Sequence, residues 1–288
     1  MNLCLPLEVQ SALDKVIHNL LEICRIRYLS DKLYMSTLHY IKNKGKLIRP
    51  ILLLLTCYIL NGDLEKAVKA AVAVECVHIA SLLQDDVFDS HKERRGVLTP
   101  RALFGDYFSI LASNVFIAKA VEYSVLTGVD KVPVEIARVA LDLADGEALE
   151  LELRDSSDTI SIEKYFSIIR KKTASLIEAS MVIGAYLSEA SENNILKVRM
   201  LGRLLGILYQ VRDDIMDFLD GERENINIVQ IYLRKGLSRE LALERSLRIL
   251  RSLFKSVDRA VDSVFGDKGA LLKTLLYSNL RLHIVDLF

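Results

Sequence analysis

The chain has 288 residues, 51% of them hydrophobic, and its 38 lysines and arginines balance its 38 aspartates and glutamates. A chain of this length can bury a large core, either as one large domain or as two fused ones. The balanced charge argues against a nucleic-acid partner, which would require a clustered basic excess. The N-terminus carries Glu8 and Asp14 where a signal peptide would have basic and then apolar residues.

Cysteine usage and hydropathy predict a cytoplasmic protein without a transmembrane segment. The longest apolar run, residues 51–60, is interrupted by Thr56 and falls short of the roughly 20 residues that span a bilayer, so it predicts a buried core helix. The four cysteines show no CxxC spacing and no paired pattern. We interpret them as reduced, mostly buried thiols. They are Cys4, Cys24, Cys57 and Cys76.

The chain-wide pattern predicts an all-α protein. Glycine and proline together number 17, and no stretch shows sustained period-2 alternation with hairpin turn signals. Breaks between apolar segments are short, which favours a single domain over residues 1–288. We predict helices over residues 7–29, 31–43, 50–60, 64–90, 106–128, 132–154, 161–188, 192–220, 226–235, 239–265 and 268–286.

Two copies of one acidic pattern stand out along the chain. Asp85, Asp86 and Asp89 form the first motif, and Asp213, Asp214 and Asp217 form the second. In each, the outer carboxylates are spaced i and i+4 within an apolar run of helical period, so they share one helical face. Such carboxylates repel one another without cations, and Mg²⁺ suits a few carboxylates plus phosphate oxygens. One copy could be a solvated acidic face; two copies in apolar surroundings favour a metal site.

A basic element and a histidine precede the first motif. Lys46 and Arg49 precede Pro50, which suits the first position of a helix, and cations there are unfavourable without an anionic ligand. Alternatively, Lys44 and Lys46 complement the negative end of the preceding helix with Gly45 as its C-cap, and taken alone this is the favoured interpretation. His78 lies seven residues before Asp85, roughly on the same face, although a lone helical histidine is more often structural.

Three further signals are weak when each is taken alone. Arg94 and Arg95 follow the first motif, where they could either complement a helix dipole or bind phosphate oxygens, and the nearby acidic motif favours phosphate. Lys171, Lys172 and Thr173 lie early in the helix that begins near residue 161, and basic pairs usually form a solvated face. Gln210 lies one turn before the second motif, and a glutamine is usually a surface residue.

In chain order these motifs resemble the trans-isoprenyl diphosphate synthases. The shared order is Gly-Lys-x-x-Arg-Pro, His, Asp-Asp-x-x-Asp, Arg-Arg-Gly, Lys-Thr and Gln-x-x-Asp-Asp-x-x-Asp, from about Gly45 to Asp217. The resemblance implies a helical bundle of the isoprenoid synthase type around a deep central cavity, a homodimer, and three Mg²⁺ ions with bound diphosphate. It also implies that an allylic diphosphate ionises, that isopentenyl diphosphate captures the carbocation, and that proton loss gives a product five carbons longer.

The resemblance also implies residue roles. All six motif aspartates would hold Mg²⁺, and the released diphosphate would be the base. Arg94 and Lys172 would bind the allylic diphosphate, while oxygens of Thr173 and Gln210 would face the allylic cation. The diphosphate of isopentenyl diphosphate would be bound by Lys46, Arg49, His78 and Arg95.

The segment after the second motif departs from the family pattern. Relatives usually carry one or two lysines and a further aspartate there, whereas residues 220–228 of this chain are shorter and contain no lysine. Either Arg223 or Arg212 could supply the missing charge.

Small residues before the first motif bear on product length. A short-chain synthase tends to carry an aromatic residue four or five positions before the first aspartate, where this chain has Ser81 and Ala80, with Val77 one turn deeper. An isoprene unit is about as long as one helical turn of roughly 5.4 Å, so we expect a product of more than about twenty carbons, with about twenty-five to thirty or more carbons, as in a hexaprenyl diphosphate synthase. Alternatively, the small residues only permit close packing, and Phe116 or Tyr123 sets a shallower floor.

Other functions remain open. The chain could be a geranylgeranyl diphosphate synthase, or a non-catalytic partner subunit of a heteromeric synthase; two intact aspartate motifs argue against the partner subunit, and the shortened loop argues weakly for it. A terpene cyclase or head-to-head synthase would generally lack the Gly-Lys-x-x-Arg-Pro element, because it binds no isopentenyl diphosphate.

Overall fold

The computed structural model describes residues 5–23, 30–43, 45–154, 160–221 and 226–279, and this part of the chain is almost entirely helical. The predicted all-α class is confirmed. The helices are α1 Leu7–Ile23, α2 Asp31–Lys42, α3 Ile48–Ile59, α4 Leu64–Phe88, α5 Pro100–Phe104, α6 Asp106–Val125, α7 Lys131–Arg154, α8 Ile162–Ile169, α9 Ser175–Tyr186, α10 Glu192–Leu219, α11 Ile228–Arg234, α12 Arg239–Phe265 and α13 Ala270–Asn279.

Two departures from the predicted elements follow the first aspartate motif. A short antiparallel hairpin, β1 Glu93–Arg94 with β2 Val97–Leu98, was not predicted. Its turn places Arg95 and Gly96 at φ of 56° and 76°, the left-handed pair that closes a two-residue hairpin. The short helix α5 was also missed; Thr99 caps it by accepting from the Ala102 amide at 3.2 Å, directly before Pro100.

The helix predicted over residues 161–188 is interrupted near its middle. A π-helix, Arg170–Ala174, separates α8 from α9, and a 3₁₀ turn, Gly266–Gly269, precedes α13. A π-helical turn has no distinct hydrophobic period, so the sequence pattern could not separate it from the flanking α-helices. Such turns occur frequently at functional sites.

The described residues cluster into two compact units. The N-terminal unit comprises Pro6–Ala137 and Ile183–Glu189, and the C-terminal unit comprises Arg138–Val182 and the residues from Ala190 onward, with Leu5. Helices α7 and α9 each continue from one unit into the other along the chain. The single-domain organisation stays a prediction.

Helix α4 is the central element of the N-terminal unit, packed against α1, α3 and α6. Asp63 begins it by accepting from the amides of Glu65 and Lys66. Near its other end, Ser109 of α6 donates to the Leu83 carbonyl at 2.9 Å. This packing fixes the direction in which α4 delivers the first aspartate motif.

In the C-terminal unit, α10 approaches its neighbours closely through two glycines. A Cβ atom on Gly206 would lie 2.4 Å from the Ala174 Cα, and one on Gly202 would lie 2.8 Å from the Glu178 Cα. Any larger residue would force the helices apart. The close approach brings the following turn of α10, with Gln210, beside the π-helix.

Helices α4 and α6 are long and apolar enough to cross a membrane by length and composition alone. In α4 the most apolar window is 78% buried inside the protein, as expected for a core helix, whereas in α6 it is 33% buried. Cys57 and Cys76 are buried thiols, as predicted. The predictions for Cys4, Cys24, Lys44 and Arg223 lie outside the described residues.

Candidate functional site

The first aspartate motif ends α4. Asp85 and Asp86 lie in the last turn, and Asp89 is the C-cap, its amide donating to the Asp85 carbonyl at 2.9 Å. A helix C-terminus carries partial negative charge, so three carboxylates there increase the need for a cation. Asp85 and Asp89 are half-buried, whereas Asp86 is completely buried.

Protein groups surround the Asp86 carboxylate. Arg94 Nε donates to Oδ1 at 2.9 Å, and the Tyr40 hydroxyl donates to Oδ2. His91 Nδ1 is 3.6 Å from Oδ1. Burial and the hydrogen bond to Asp86 raise the pKa of Tyr40 well above its usual range. Burial opposes the charged form of Arg94, but Asp86 outweighs it, so the pKa of Arg94 is also raised. Asp86 is therefore the internal counter-charge of Arg94.

The hairpin sends its two arginines to different places. While Arg94 reaches Asp86, the Arg95 guanidinium lies against Gly45, where an added Cβ would be 2.6 Å from Nη2, and its Nη1 is 3.4 Å from the Asn43 carbonyl oxygen. A shallow pocket adjoins both arginines; its lining residues are His39, Tyr40, Asn43, Arg94, Arg95, Val97, Leu98, Thr99 and Pro100.

Arg49 lies in the first turn of α3, which begins two residues earlier than predicted. The N-cap is Leu47, at φ 55°, and its side chain offers no capping oxygen. Arg49 Nη1 is 3.0 Å from His78 Nε2. Burial, together with Arg49 and Arg95, holds the pKa of His78 well below its usual value, so the imidazole is neutral and Nε2 accepts from Arg49. Lys46, three residues before Arg49 in the chain, is exposed.

Glu75, one turn before His78 on α4, was missed by the sequence analysis. It is 4% exposed, and its Oε2 has no hydrogen-bond partner in the described part of the chain. Burial raises the pKa of Glu75 to about 7, against the opposing effect of Arg49 and Arg95. Its spacing of three residues from His78 was the available signal, because such residues share a helical face.

The second aspartate motif lies within α10, before the helix ends at Leu219. Asp214 is completely buried. Its carboxylate accepts from the Tyr165 hydroxyl at 2.8 Å, from Gln210 Nε2 at 2.8 Å and from the Ile228 amide at 2.9 Å. Burial raises the pKa of Asp214 to about 6 in spite of these donors. Asp213 Oδ1 accepts from Arg212 Nη1 at 2.5 Å, so Arg212, one of the two candidate replacement cations, lies at the motif.

The structure brings Thr173 and Gln210 together. The Thr173 hydroxyl, in the π-helix, donates to Gln210 Oε1 at 2.8 Å. Because the hydroxyl proton is used in this bond, the lone pairs of the Thr173 oxygen are left to face a positive charge.

Lys172 is held by two glutamates of α7. Its Nζ lies 2.7 Å from Glu147 Oε2 and 2.8 Å from Glu150 Oε2, and the neighbouring Lys171 pairs with Asp145. The approach is close because a Cβ on Gly146 would lie 2.7 Å from the Lys172 amide nitrogen. The two glutamates were not singled out in the sequence, although their i, i+3 spacing was visible.

The donor chemistry of the motifs fits Mg²⁺ held jointly with a diphosphate. In the part of the chain that the structure describes, no group of three or more His, Cys, Asp or Glu side chains could hold a metal ion by itself. The outer pairs, Asp85 with Asp89 and Asp213 with Asp217, are half-buried carboxylates one turn apart. Mg²⁺ favours such an incomplete set, since it keeps positions for phosphate oxygens.

The residues predicted to control product length lie on α4. Ala80 and Val77 are 1% and 2% exposed, while Ser81 is half-buried and donates to the His78 carbonyl at 2.9 Å. On α6, Phe116 is completely buried and Tyr123 is half-buried. Both interpretations of the small residues therefore remain compatible with the N-terminal unit.

Comparison with known proteins identifies the family. The family model of the polyprenyl synthetases matches residues 30–228. A short chain isoprenyl diphosphate synthase of Methanocaldococcus jannaschii is 29% identical over 243 residues, 83% of this chain and 72% of that protein. A geranylfarnesyl diphosphate synthase of Methanosarcina mazei is 37% identical over 215 residues, 73% of this chain and 72% of that protein. A solved geranyltranstransferase from Thermotoga maritima has the same fold, with a TM-score of 0.82 and 24% identity over 97% of this chain and 99% of that one. The chain therefore belongs to the polyprenyl synthetase family and is an enzyme that transfers prenyl groups.

Proposed function

We propose that this enzyme condenses an allylic diphosphate with isopentenyl diphosphate in a Mg²⁺-dependent reaction. The observation that carries the proposal is the duplicated aspartate motif, each copy with its middle carboxylate buried on a tyrosine and its outer pair spaced one turn apart. In each copy the outer carboxylates are half-buried, and cations bound between them would relieve their mutual repulsion.

The outer aspartates, Asp85, Asp89, Asp213 and Asp217, would hold the magnesium ions. Asp86 and Asp214, which the sequence analysis also assigned to metal, are engaged with protein donors, and we assign them to orienting the motifs instead. Bound Mg²⁺ neutralises the charge of the departing diphosphate, so that the allylic carbon–oxygen bond can ionise without proton transfer. Three ions with bound diphosphate remain the proposed stoichiometry.

The basic side chains divide between the two substrates. Arg94 and Lys172 would bind the allylic diphosphate, Lys172 exchanging Glu147 and Glu150 for the more highly charged diphosphate oxygens. Isopentenyl diphosphate would be bound at the N-terminal end of α3, by Lys46, Arg49, His78 and Arg95.

Thr173 and Gln210 would act on the allylic cation. Their mutual hydrogen bond aims oxygen dipoles at the charge that develops there, and fixed dipoles stabilise it without reorganising during the reaction. The released diphosphate would take the proton.

Incubation of the purified chain with labelled isopentenyl diphosphate and each short allylic primer tests this function. We expect chain elongation that stops in excess chelator. Label incorporation in chelator, or none with any primer, would contradict the proposal. If no primer gave incorporation but an added paralogue restored activity, the chain would instead be a non-catalytic partner subunit. The shortened segment after the second motif weakly favours that alternative.

For product length, we propose more than about twenty carbons, with growth along α4 past Ser81, Ala80 and Val77 into the predicted cavity. The small side chains support this, as does the resemblance to a protein named a geranylfarnesyl diphosphate synthase. Ala80→Phe should shorten the main product to about fifteen or twenty carbons, about one or two turns less. Ser81→Phe is the matched variant at a half-buried position. Unchanged products from both variants would favour a floor at Phe116 or Tyr123, and a wild-type product of twenty carbons would identify a geranylgeranyl diphosphate synthase.

We further propose a homodimer in the cytoplasm. Helix α6 exposes Tyr107, Leu111, Val121 and Val125 at 86%, 46%, 54% and 60%. Their spacing of 4, 10 and 4 residues follows the heptad seam along which helices pair. Val121→Glu should therefore give a monomer by light scattering, whereas Leu196→Glu, at an exposed position of α10, should not. A dimeric Val121→Glu variant would place the interface elsewhere.

A further inference from the structure

The residue before α11 is tied back to the second aspartate motif. Asn227 is 1% exposed, and its Nδ2 donates to the Asp214 backbone carbonyl at 2.6 Å. The next residue, Ile228, donates its amide to Asp214 Oδ2 at 2.9 Å. Both the main chain and the side chain of Asp214 are thus bound by residues thirteen and fourteen positions further along.

The Asn227 side chain has a second role at the same time. Its Oδ1 accepts from the amides of Val229 at 2.9 Å and of Gln230 at 3.4 Å, and so caps α11. The carboxamide therefore uses its oxygen on the helix and its nitrogen on the motif. These two functions can be separated by substitution, because serine and aspartate both cap helices but neither can donate the second bond in the same geometry.

Asp214 in turn fixes the orientation of the Gln210 carboxamide. Its Oδ1 accepts from Gln210 Nε2 at 2.8 Å, while Oδ2 is shared by Tyr165 and Ile228. With its nitrogen held by Asp214, the Gln210 carboxamide must turn its oxygen to the Thr173 hydroxyl, 2.8 Å away. A flipped carboxamide would place a nitrogen donor against a hydroxyl and an oxygen against a carboxylate.

We propose that Asn227 is a positioning residue that acts through Asp214 on Gln210 and Thr173. This inference rests on the proposed function, in which the oxygens of these two side chains face the allylic cation. Asn227 itself touches no substrate. It fixes the main chain and carboxylate of Asp214, which orient the carboxamide of Gln210, and this organises the dipoles before the substrate ionises. Asn227 and Ile228, at the end of the segment that has no lysine, thus act on the site through hydrogen bonds within the protein.

The first test measures the tie itself, without any substrate. Asn227→Ser keeps a capping hydroxyl but loses the donor to Asp214, and it should raise the amide exchange rate of Ile228 by about tenfold. Asn227→Asp, which also keeps the cap, is the second variant should the first fail to fold. The matched control is Ser238→Ala, which removes the cap that Ser238 provides to Leu241 in α12 and has no link to the motif. Unchanged exchange at Ile228 in folded Asn227 variants would overturn the tie, even if the chain proved to have no prenyltransferase activity.

The second test asks whether Asn227 acts through Gln210. In the otherwise unchanged enzyme, Asn227→Ser should lower kcat about tenfold and change both KM values by less than about twofold. In a Gln210→Ala background, the same substitution should lower kcat by less than about twofold. Ser238→Ala should have the same small effect in both backgrounds. Equal, additive losses from Asn227→Ser in both backgrounds would show a structural cap and overturn the positioning role. An inactive wild-type chain would instead refute the proposed function. The amide exchange rate of Ile228 would still show whether Asn227 holds Asp214 in place.

Discussion

The two aspartate motifs solve the same problem with different partners. In both, the middle carboxylate is completely buried and accepts from a tyrosine hydroxyl, Tyr40 at Asp86 and Tyr165 at Asp214. At Asp86 a second hydrogen bond comes from a cation, Arg94, and His91 Nδ1 lies 3.6 Å from the same oxygen. At Asp214 the hydrogen-bond donors are neutral groups, the Gln210 carboxamide and the Ile228 amide. One motif is thus supported by a buried ion pair, and the other by a network of dipoles.

The difference shows how each motif is held in place. The first motif ends its helix, where the helix dipole adds negative charge, and a guanidinium on the following hairpin offsets it. The second lies within α10, and its neutral donors leave burial to raise the pKa of Asp214 to about 6. We therefore expect the first motif to respond most to loss of charge, and the second to loss of hydrogen-bond geometry.

The largest expected effect is common to both motifs and concerns the outer aspartates. Asp85→Ala and Asp213→Ala should each lower turnover by about a thousandfold or more, because the metal ions that would neutralise the departing diphosphate lose a carboxylate ligand. Asp130→Ala, at an exposed aspartate outside the motifs, is the control. Steady-state rates at saturating Mg²⁺ provide the measurement. Near-normal turnover in either motif variant would remove the metal assignment for that motif.

Substrate selectivity should separate the two motif regions next. Arg49→Ala should raise the KM for isopentenyl diphosphate by about tenfold to a hundredfold, since a charge-assisted contact is worth roughly 1.5–3 kcal/mol, and leave the KM of the primer nearly unchanged. Lys172→Ala should show the opposite pattern. Initial rates with each substrate varied in turn test the pair. Equal effects on both substrates from Arg49→Ala would refute its assignment to isopentenyl diphosphate.

Removing the charge of the middle aspartates tests directly whether the first motif depends on an ion pair and the second on neutral hydrogen bonds. Asp86→Asn leaves Arg94 without its buried counter-charge, which should cost about 3 kcal/mol of unfolding free energy. Asp214→Asn removes no ion pair and should cost about 1–2 kcal/mol, as for an impaired hydrogen-bond network. Urea unfolding of the two variants gives both values. A larger loss for Asp214→Asn would reverse the distinction between the motifs.

A pH effect on stability extends the comparison to Glu75, the buried carboxyl near Arg49 and Arg95. Its pKa is raised from 4.5 to about 7, so the folded protein binds more protons than the unfolded chain between these values. Stability should therefore fall as pH rises through this window, by up to about 3 kcal/mol at 1.36 kcal/mol per pKa unit. Glu75→Gln should be less pH-dependent than the wild type by that amount. Parallel pH profiles of the two proteins would contradict the raised pKa.

The sequence predicted the helices well, because their apolar periods and breaks are local features. Helices α2, α4, α7, α10 and α12 begin and end within about two residues of their predicted bounds. The hairpin after the first motif was missed because it has two residues in each strand and depends on its turn rather than on alternation. The π-helix was missed because its single turn has no distinct hydrophobic period.

At the site, the motif residues could be named from sequence, but their supporting partners could not. Tyr40 and Tyr165 lie 46 and 49 residues from the aspartates they contact, and nothing local marks them. Asn227 could have been recognised as a helix cap from the residues that follow it. Its bond to the Asp214 carbonyl depends on how α11 packs, which the sequence alone does not show.

The π-helix at Arg170–Ala174 makes the length of this segment matter as much as its composition. A π-turn closes between residues i and i+5, one position further than an α-turn, so deleting a single residue there would yield one continuous α-helix. That shorter chain would keep nearly all its helical hydrogen bonds and its apolar content. The flanking helices α8 and α9 would keep nearly the same relative orientation, because the wider π-turn uses its extra residue to complete about the same rotation as an α-turn, so Tyr165 would stay near Asp214. The side chain whose position depends on the π-turn is that of Thr173, within it, which donates to Gln210. A one-residue deletion in this segment should therefore leave a folded protein that keeps the hydrogen bond from Tyr165 to Asp214 but loses the alignment of Thr173 with Gln210.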